Sequence, residues 1–484
     1  MRCKSNIFSL GTRLCAIFLA SSVLSGWAFT QAVTLAPKVG PPTAHISVGG
    51  SGFPANSAVD VYFDLTDLAL VATDSTGSFS KLSIQAPKSA LPGTHWVTAI
   101  ARSNQAAAQT AFKVRTDWSQ FGFTPGNTRQ NPYENVLDVN SVTGLDLSWS
   151  YFNDYFPILS TPAVSGGTLY FGSYDSNLYA LNATTGKKLW SSATGSLVTS
   201  SPAVSQGNVY FGSYDGNVYA LNAKTGAFVW AYATGAVVET SPTVSNGTVY
   251  IVTSDSTLTA LNAATGALLW SYFVDGITLA PPSVANGAVY VVGLEGTYSI
   301  NATTGTLNWF VNTLEMQGGT AVAQGVLYVA MGNVTTLGLS TVTGNARDIG
   351  NFGSNSFALG GSALYVGTST GVYATNPSGD FSTLWNFADY QQPVVAAPAV
   401  ANGVVYANDY AGIVHAIHAS YGYELWSFQT GNLISTSPVV ANGMLYVASR
   451  DGNLYAFGLP SGPAKIQRPD PGALVPDMSL QTSK

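Results

Sequence analysis

The segment FGSYDGNVYALNAKTG, residues 211–226, decides the fold, because residues 171–186 already read FGSYDSNLYALNATTG, forty positions earlier. Each copy holds two short runs of alternating apolar residues, separated by Asp-Gly or Asp-Ser and followed by Thr-Gly. Glycine in such a turn permits the positive φ that tight hairpins require. The pattern therefore predicts short antiparallel β-strands joined by hairpins, repeated with a period near forty.

Tryptophans mark the same period. From Trp149 to Trp309 the successive spacings are 41, 40, 40 and 39 residues, and after one gap of 76 the last two are 41 apart. In the unit without a tryptophan, Asp348 occupies the expected position. The repeating residues, predicted to dock neighbouring units together, are Trp149, Trp190, Trp230, Trp270, Trp309, Trp385 and Trp426.

Four strand signals in each unit predict an all-β fold, an eight-bladed β-propeller over residues 117–458. The units open near Pro162, Pro202, Pro242, Pro282, Thr320, Phe357, Pro398 and Pro438. The last unit lacks a fourth strand, whereas the strand signal at 147–151 precedes the first unit without partners. We expect this N-terminal strand to complete the C-terminal blade and close the ring, which would also remove an exposed sheet edge.

The pattern Ala-x-x-Gly-x-x-x-Trp resembles the tryptophan-docking motif of the pyrroloquinoline quinone (PQQ) repeat propellers. The copies run over residues 183–190, 223–230, 263–270, 302–309 and 419–426. The lead-in Asp117-Trp118 with Arg129–Tyr133 also resembles the segment that opens such domains. This resemblance implies an eight-bladed propeller held together between its blades by tryptophans.

Residues 1–32 predict a secretory signal peptide, because three basic residues accompany an apolar run that ends in small residues near Ala28 or Ala32. The expected location is the bacterial periplasm or the extracellular space. Both cysteines, Cys3 and Cys15, lie in this segment, so the mature chain has no disulfide framework. Its net charge is 15 − 24, or −9, which disfavours nucleic acid as a partner. No later segment is apolar enough to predict a membrane span.

Two further regions flank the repeats. Residues 34–115 show alternating runs broken by turns, which predicts a small β-sandwich. The string GSGFPANSAVDVYFD, residues 50–64, resembles bacterial immunoglobulin-like domains of surface proteins. Residues 459–484 are polar and rich in proline, which predicts a flexible tail.

The resemblance leaves two activities to compare. Relatives that are PQQ-dependent dehydrogenases imply a Ca²⁺-binding Glu and Asn, a catalytic Asp and often a vicinal disulfide, and none of these can be placed in this chain. Members similar to the propeller subunit of the outer-membrane assembly machinery imply scaffolding without a cofactor. The sequence favours a non-enzymatic binding or scaffolding protein with no cofactor, metal or catalytic residue; a PQQ-dependent oxidoreductase with Ca²⁺ is the alternative. A carbohydrate-active enzyme is a third hypothesis, although its carboxylate pair is not visible in the sequence.

Two sets of side chains are candidates for metal binding. The first recurs in the second hairpin turn of the unit, where Asp is ordinary turn chemistry. The second is His415 and His418, whose odd spacing on a strand places them on opposite faces. Both are interpreted as structural. The recurring turn residues are Asp175, Asp215, Asp255 and Asp451.

The repeats differ most in the segments that link one unit to the next. Such loops should line one mouth of the propeller channel, and variable loops on a constant scaffold are where specificity usually lies. We expect a protein or glycan ligand there. The candidate residues are Tyr155, Phe156, Glu239, Asp275, Glu315, Tyr390 and Gln391.

Overall fold

The computed structural model describes residues 30–276, 280–313, 318–331, 335–348, 356–361, 363–377, 382–388, 393–394, 396–460, 467–480 and 482–483. Most of the predicted signal peptide, residues 1–29, lies outside them. None of the described helices is long and apolar enough to cross a membrane. The short 3-10 turns Val142–Gly144 and Pro471–Ala473 are the helical elements of the described part.

The N-terminal module consists of two sheets that enclose one apolar core. Its strands are β1 (Ala32–Ala36), β2 (Val39–Gly40), β3 (His45–Ser51), β4 (Ala58–Phe63), β5 (Thr66–Ala72), β6 (Phe79–Gln85), β7 (Gly93–Ala101) and β8 (Ala107–Val114). One sheet has the order β1-β3-β6 and the other contains β2-β8-β7-β4-β5. Ile46 and Val48 of the first sheet and Val59 and Phe112 of the second are buried in the shared core. The immunoglobulin-like resemblance of this module stays a prediction.

Short strands precede and open the repeats. These are β9 (Gln130–Asn131) and β10 (Asp146–Phe152). Blades 1 to 4 are antiparallel four-stranded meanders. They contain β11 (Ala163–Ser165), β12 (Thr168–Gly172), β13 (Asn177–Asn182), β14 (Lys188–Ala193), β15 (Ala203–Ser205), β16 (Asn208–Gly212), β17 (Asn217–Asn222), β18 (Phe228–Ala233), β19 (Thr243–Ser245), β20 (Thr248–Val252), β21 (Thr257–Asn262), β22 (Leu268–Phe273), β23 (Ser283–Ala285), β24 (Ala288–Val292), β25 (Gly296–Asn301) and β26 (Leu307–Asn312).

Blades 5 to 8 continue the ring; in the described residues seven blade sheets have four strands, and the sheet of blade 7 has β9 as a fifth strand beside β35. Their strands are β27 (Thr320–Ala323), β28 (Val326–Met331), β29 (Thr335–Ser340), β30 (Ala346–Asp348), β31 (Ser356–Gly360), β32 (Ala363–Thr368), β33 (Gly371–Thr375), β34 (Thr383–Phe387), β35 (Ala399–Ala401), β36 (Val404–Asn408), β37 (Ile413–His418), β38 (Glu424–Gln429), β39 (Val439–Ala441), β40 (Met444–Ala448) and β41 (Asn453–Gly458). The prediction of an all-β propeller is confirmed.

The ring closes where the sequence predicted. β10 pairs antiparallel with β41, so that blade 8 has the order β10-β41-β40-β39. Across the same junction, the backbone N–H of Ser437 in blade 8 donates to Oγ1 of Thr161 in blade 1 over 3.1 Å. The N-terminal strand therefore supplies the fourth strand of the last blade.

The predicted docking tryptophans join seven of the eight blades to the next one. Nε1 of Trp190 donates to the backbone oxygen of Ala223 over 3.2 Å, and the ring lies on Gly226, where an added Cβ would come within 2.7 Å of it. The indole thus needs a glycine beneath it. All seven make such a bond: Trp149 to Ala183, Trp190 to Ala223, Trp230 to Ala263, Trp270 to Ala302, Trp309 to Thr341, Trp385 to Ala419 and Trp426 to Leu145.

A tyrosine that sequence reasoning missed shares these acceptors. Oη of Tyr170, on the second strand of blade 1, donates to the same Ala223 oxygen over 2.9 Å. One buried carbonyl thereby uses both of its lone pairs across a blade interface. The same bond joins Tyr210 to Ala263, Tyr250 to Ala302, Tyr290 to Thr341, Tyr365 to Ala419 and Tyr446 to Ala183. Tyrosine at 170, 210, 250 and 290 is a period-forty signal that could have revealed it.

A β-bulge accompanies each tryptophan. In blade 1 the pairing steps from Ala180↔Trp190 to Leu181↔Lys188, which leaves one extra residue on the outer strand. The same irregularity is present in all seven blades that carry a docking tryptophan. In blade 5, which carries Asp348 instead, the described pairing is continuous. Because a bulge re-aims a side chain, we attribute to it the turn of the indole toward the next blade.

The described part of the tail contacts the N-terminal module, while the flexibility of residues 459–484 stays a prediction. β42 (Thr482–Ser483) pairs parallel with β5, and the guanidinium of Arg468 lies 4.7 Å from the ring centroid of Trp96. The side-chain amide of Gln109 donates to the backbone oxygen of Pro469 over 2.7 Å. The described part of the tail is thus attached to the N-terminal module, because that module offers an open strand edge and an aromatic face.

Candidate functional site in the central channel

A cavity of about 410 Å³ opens into the centre of the ring, and every blade contributes residues to its wall. The wall is formed by the short segments that precede the innermost strands. In four blades these segments read Ser/Thr-Ser/Thr-Pro, at residues 160–162, 200–202, 240–242 and 436–438. This recurring triplet is a sequence signal for the channel wall that the analysis of single motifs missed.

The lead-in segment between residues 117 and 131 runs around the lower end of the channel. It bonds in turn to the innermost strands: Trp118 to Val164 in blade 1, Ser119 to Val204 in blade 2, and Arg129 to Val400 in blade 7. Further bonds reach blades 3, 4, 5 and 6 through residues 120, 125, 126 and 128. An innermost strand has an unpaired edge, and this lead-in segment supplies a partner to the innermost strands of blades 1 to 7.

Arg129 forms the floor of the cavity. It is 1% exposed, and it donates from Nε to the backbone oxygen of Pro398 over 2.8 Å and from Nη2 to that of Pro438 over 2.9 Å. Nη1 donates to the backbone oxygen of Phe121, whose ring centroid lies 4.8 Å from the guanidinium. Burial lowers the pKa of Arg129 to about 9, which still leaves it charged at neutral pH. No carboxylate of the described residues forms a salt bridge with it.

Hydroxyl groups encircle the cavity above Arg129. Oγ of Ser201 accepts the backbone N–H of Thr161 over 3.0 Å, and Oγ of Ser241 accepts that of Ser201 over 2.9 Å. Oγ1 of Thr161 accepts the N–H of Ser437 over 3.1 Å. Each of these three hydroxyls therefore accepts one bond and keeps its own proton available toward the cavity.

The structure describes four of the seven predicted mouth residues. Tyr155 is 83% exposed and Phe156 is 45% exposed, on the loop that leads from blade 8 into blade 1. Glu239 lines the cavity, and burial together with this neighbouring carboxylate raises the pKa of the Tyr214 phenol. The neighbouring carboxylate of Asp275 raises the pKa of Glu295. The other predicted mouth residues, Glu315, Tyr390 and Gln391, lie outside the described residues.

The recurring turn aspartates are structural, as predicted. Oδ1 of each accepts the backbone N–H two residues onward, over 3.0 Å for Asp175 and Asp215, 3.3 Å for Asp255 and 2.7 Å for Asp451. Three of them also accept from a tyrosine four residues onward. Each carboxylate therefore completes its own hairpin.

The two histidines face different partners. Nδ1 of buried His415 lies 2.7 Å from Oε1 of Glu424, and Nε2 lies 3.5 Å from Oδ2 of Asp409. Burial alone would lower the pKa of His415, but the bonds to these two carboxylates raise it overall. His418 instead packs against the rings of Tyr421 and Tyr423 in tilted geometry, at centroid distances of 4.7 and 5.0 Å. The described residues hold no group of three or more His, Cys, Asp and Glu side chains that could bind a metal.

The described residues of the channel wall do not offer the ligands that PQQ with Ca²⁺ would need. The resemblance to the dehydrogenases requires a Glu and an Asp together at the cofactor, whereas the described wall of the cavity contains one carboxylate, Glu239. Hard cations such as Ca²⁺ need several oxygen ligands, carboxylates foremost. The donors present are a guanidinium and hydroxyl groups, which suit an anion without a metal.

Comparisons with known proteins agree on the fold. A family model described as "Outer membrane protein assembly factor BamB" matches residues 134–347 and 368–465. The protein of that name from Salmonella typhimurium is 35% identical over 75 residues, which cover 13% of this chain. The match thus spans 19%, about a fifth, of the length of the curated relative.

Two solved structures share the architecture. BamB from Moraxella catarrhalis superposes with a TM-score of 0.56 at 20% identity, covering 65% of this chain and 99% of that one. A europium-containing methanol dehydrogenase superposes with a TM-score of 0.61 at 14% identity, covering 71% of this chain and 98% of that one. At such identities the likeness concerns the fold alone.

Proposed function

The chain belongs to the family of the outer membrane protein assembly factor BamB, and from this premise we propose that it is an exported, non-enzymatic propeller that binds a protein partner at its channel mouth. The partner class we infer is a protein that takes part in outer membrane protein assembly, as the relatives' name states for them. The predicted signal peptide supports export to the periplasm.

The observation that carries the proposal is the aromatic loop between blades 8 and 1. Tyr155 is 83% exposed, and its ring meets that of Phe152 edge to face, with centroids 4.7 Å apart. Asp154 and Tyr155 have φ of +44° and +65°, in the left-handed region that non-glycine residues rarely adopt. Large aromatic rings held exposed by a strained backbone are typical of binding loops.

The rest of the rim favours a protein over a glycan. Phe156 extends the apolar surface beside Tyr155, while Glu239 and the Asp275–Glu295 pair carry carboxyl groups on the loops of other blades. Apolar rings flanked by charged groups over several loops are the arrangement of a protein interface, with an aromatic centre and a polar rim.

Site-specific photocrosslinking tests the proposal. A photoreactive phenylalanine analogue is placed at Tyr155 in the mouth and, as a matched control, at Tyr421, which is 71% exposed on the turn between β37 and β38. We expect the Tyr155 probe to capture one or a few proteins of the cell envelope, identifiable by mass spectrometry, and the Tyr421 probe not to capture them. Equal capture from both positions, or none from Tyr155, would contradict the proposal. N-terminal sequencing of the mature protein tests export.

A further inference from the structure

We propose that the central channel binds a small oxyanion, a carboxylate or an inorganic oxyanion, between the guanidinium of Arg129 and the hydroxyls of Thr161, Ser201 and Ser241. The site does not rest on the protein partner proposed for the mouth. Its four side chains are buried, whereas Glu239, which shares the cavity wall, belongs to the rim.

The charge of Arg129 favours an anion. A buried cation without a carboxylate is costly, and proteins normally pair it. Arg129 is 1% exposed, and its described hydrogen bonds go to neutral backbone oxygens of Phe121, Pro398 and Pro438. The rings of Trp118 and Phe121, with centroids 5.3 and 4.8 Å away, also contact the guanidinium, but neither carries a negative charge. A guanidinium has five N–H donors, so two remain after these three bonds. The unmatched charge and the remaining donors both favour an anion.

Three hydroxyl groups on the cavity wall also favour an anion. Thr161, Ser201 and Ser241 each accept a backbone N–H from a neighbouring blade, which fixes the position of the oxygen. Their protons find no acceptor among the described hydrogen bonds and can be donated into the cavity. A fixed cation together with several O–H donors around about 410 Å³ suits a compact ligand with anionic oxygens.

The backbone of the lead-in segment is strained beside the cavity. The lead-in segment places Phe123, Asn127 and Arg129 at φ of +65°, +54° and +53°. Left-handed conformations at non-glycine residues cost free energy and persist where the surrounding structure enforces them, often at ligand sites. Nδ2 of Asn127, also on the cavity wall, is held by Ser283 over 3.1 Å and by two backbone oxygens. The segment therefore has a rigid, strained conformation directly beneath the cavity.

The test follows thermal unfolding of the purified mature protein at constant ionic strength, with malonate, phosphate or the neutral malonamide. A ligand that binds the folded state alone raises the midpoint with concentration. We expect the unfolding midpoint to rise once the concentration of malonate or phosphate exceeds its dissociation constant. Malonamide should leave the midpoint unchanged. Malonate alone would assign a carboxylate ligand, and phosphate alone an inorganic oxyanion.

Matched variants separate binding from general salt effects. Ser200 and Ser201 are both buried, and each accepts one backbone N–H, but Ser201 alone lines the cavity. We expect Ser201→Ala to raise the half-effective anion concentration roughly tenfold, whereas Ser200→Ala keeps the wild-type value. Arg129→Met should abolish the anion-dependent rise, and if it does not fold, the serine pair decides. The proposal would be overturned if both serine variants had the same half-effective anion concentration, or if anions did not raise the midpoint of the wild type. Arg129 would then have only a structural role, through its bonds to the backbone oxygens.

Discussion

At the scale of residues, two glycines distinguish the cost of backbone strain from the cost of a clash with the tryptophan ring. Gly226 and Gly207 have φ of +71° and +82°, so alanine is strained at either position. At Gly207 an added Cβ meets nothing within 4 Å, whereas at Gly226 it would lie 2.7 Å from the ring of Trp190. We expect Gly207→Ala to cost about 1 kcal/mol of unfolding free energy and Gly226→Ala roughly 3 kcal/mol. Equal costs in urea unfolding would show that the indole does not need the glycine.

The carbonyl shared between two donors makes a second residue-level prediction. Trp190 and Tyr170 both donate to the oxygen of Ala223, so either one can be lost while the other keeps this buried acceptor paired. We expect Trp190→Phe and Tyr170→Phe to destabilise individually. The double variant should lose about 1 kcal/mol more than the sum, because it leaves the oxygen unpaired. A double-mutant cycle by chemical denaturation measures the coupling, and strict additivity would contradict it.

His415 makes stability depend on pH. Its folded-state pKa is raised above the unfolded value by Asp409 and Glu424, so its contribution is complete below about pH 6.5 and is lost as pH rises through the folded pKa. We expect the unfolding midpoint of the wild type to fall more between pH 6 and pH 9 than that of His415→Asn. His45→Asn, on the exposed side of β3, is the control and should keep the wild-type slope. Parallel slopes for wild type and His415→Asn would contradict the prediction.

At the scale of elements, the closing strand offers a test by cross-linking. Phe152↔Asn453 in blade 8 and Asn177↔Ala193 in blade 1 are equivalent pairs between the outermost strands. The first joins strands separated by roughly 300 residues and the second closes a short loop, so the loss of chain entropy in the unfolded state predicts a stabilisation of about 6 kcal/mol for the first and about 3 kcal/mol for the second. Because the mature chain is expected to lack cysteine, paired Cys variants can be compared directly. A smaller gain from the closing pair would argue against β10 as the element that closes the ring.

The elements themselves could be predicted from sequence because their signals are local. The Asp-Gly and Asn-Gly turns, the spaced tryptophans and the unpaired strand at 147–151 sufficed for the blades and for the closure. The bulge beside each tryptophan could not be predicted, because it depends on the register between β13 and β14 and their equivalents. The tyrosine donors carried a period-forty signal, but their acceptor lies in the next blade, 53 residues away for Tyr170.

At the scale of the whole molecule, the channel depended on contacts that no local pattern reports. The carbonyl partners of Arg129 at Pro398 and Pro438 lie 269 and 309 residues away along the chain. The sequence predicted a binding site on the variable loops at the mouth. The cavity wall is instead formed in part by the recurring Ser/Thr-Ser/Thr-Pro segments. The repetition of this triplet in four blades made the site hard to predict, because a residue that recurs between units is first interpreted as structural.

The described part of the tail contacts the N-terminal module and should therefore stabilise it. Besides the contact of Arg468 with Trp96, the backbone N–H of Asp477 donates to Oδ2 of Asp67 over 2.7 Å, and β42 covers the edge of β5. Deleting residues 467–484 should therefore speed amide hydrogen exchange in β5 and β7 while the blades keep their protection, since local stability follows local contacts. Arg468→Ala should weaken the same contacts in part. Arg450→Ala, an arginine of blade 8 that bonds Ser435, should have no effect on the module. Unchanged exchange in β5 after the deletion would mean that the tail does not protect the module, and the sandwich would then be stabilised by its own core alone.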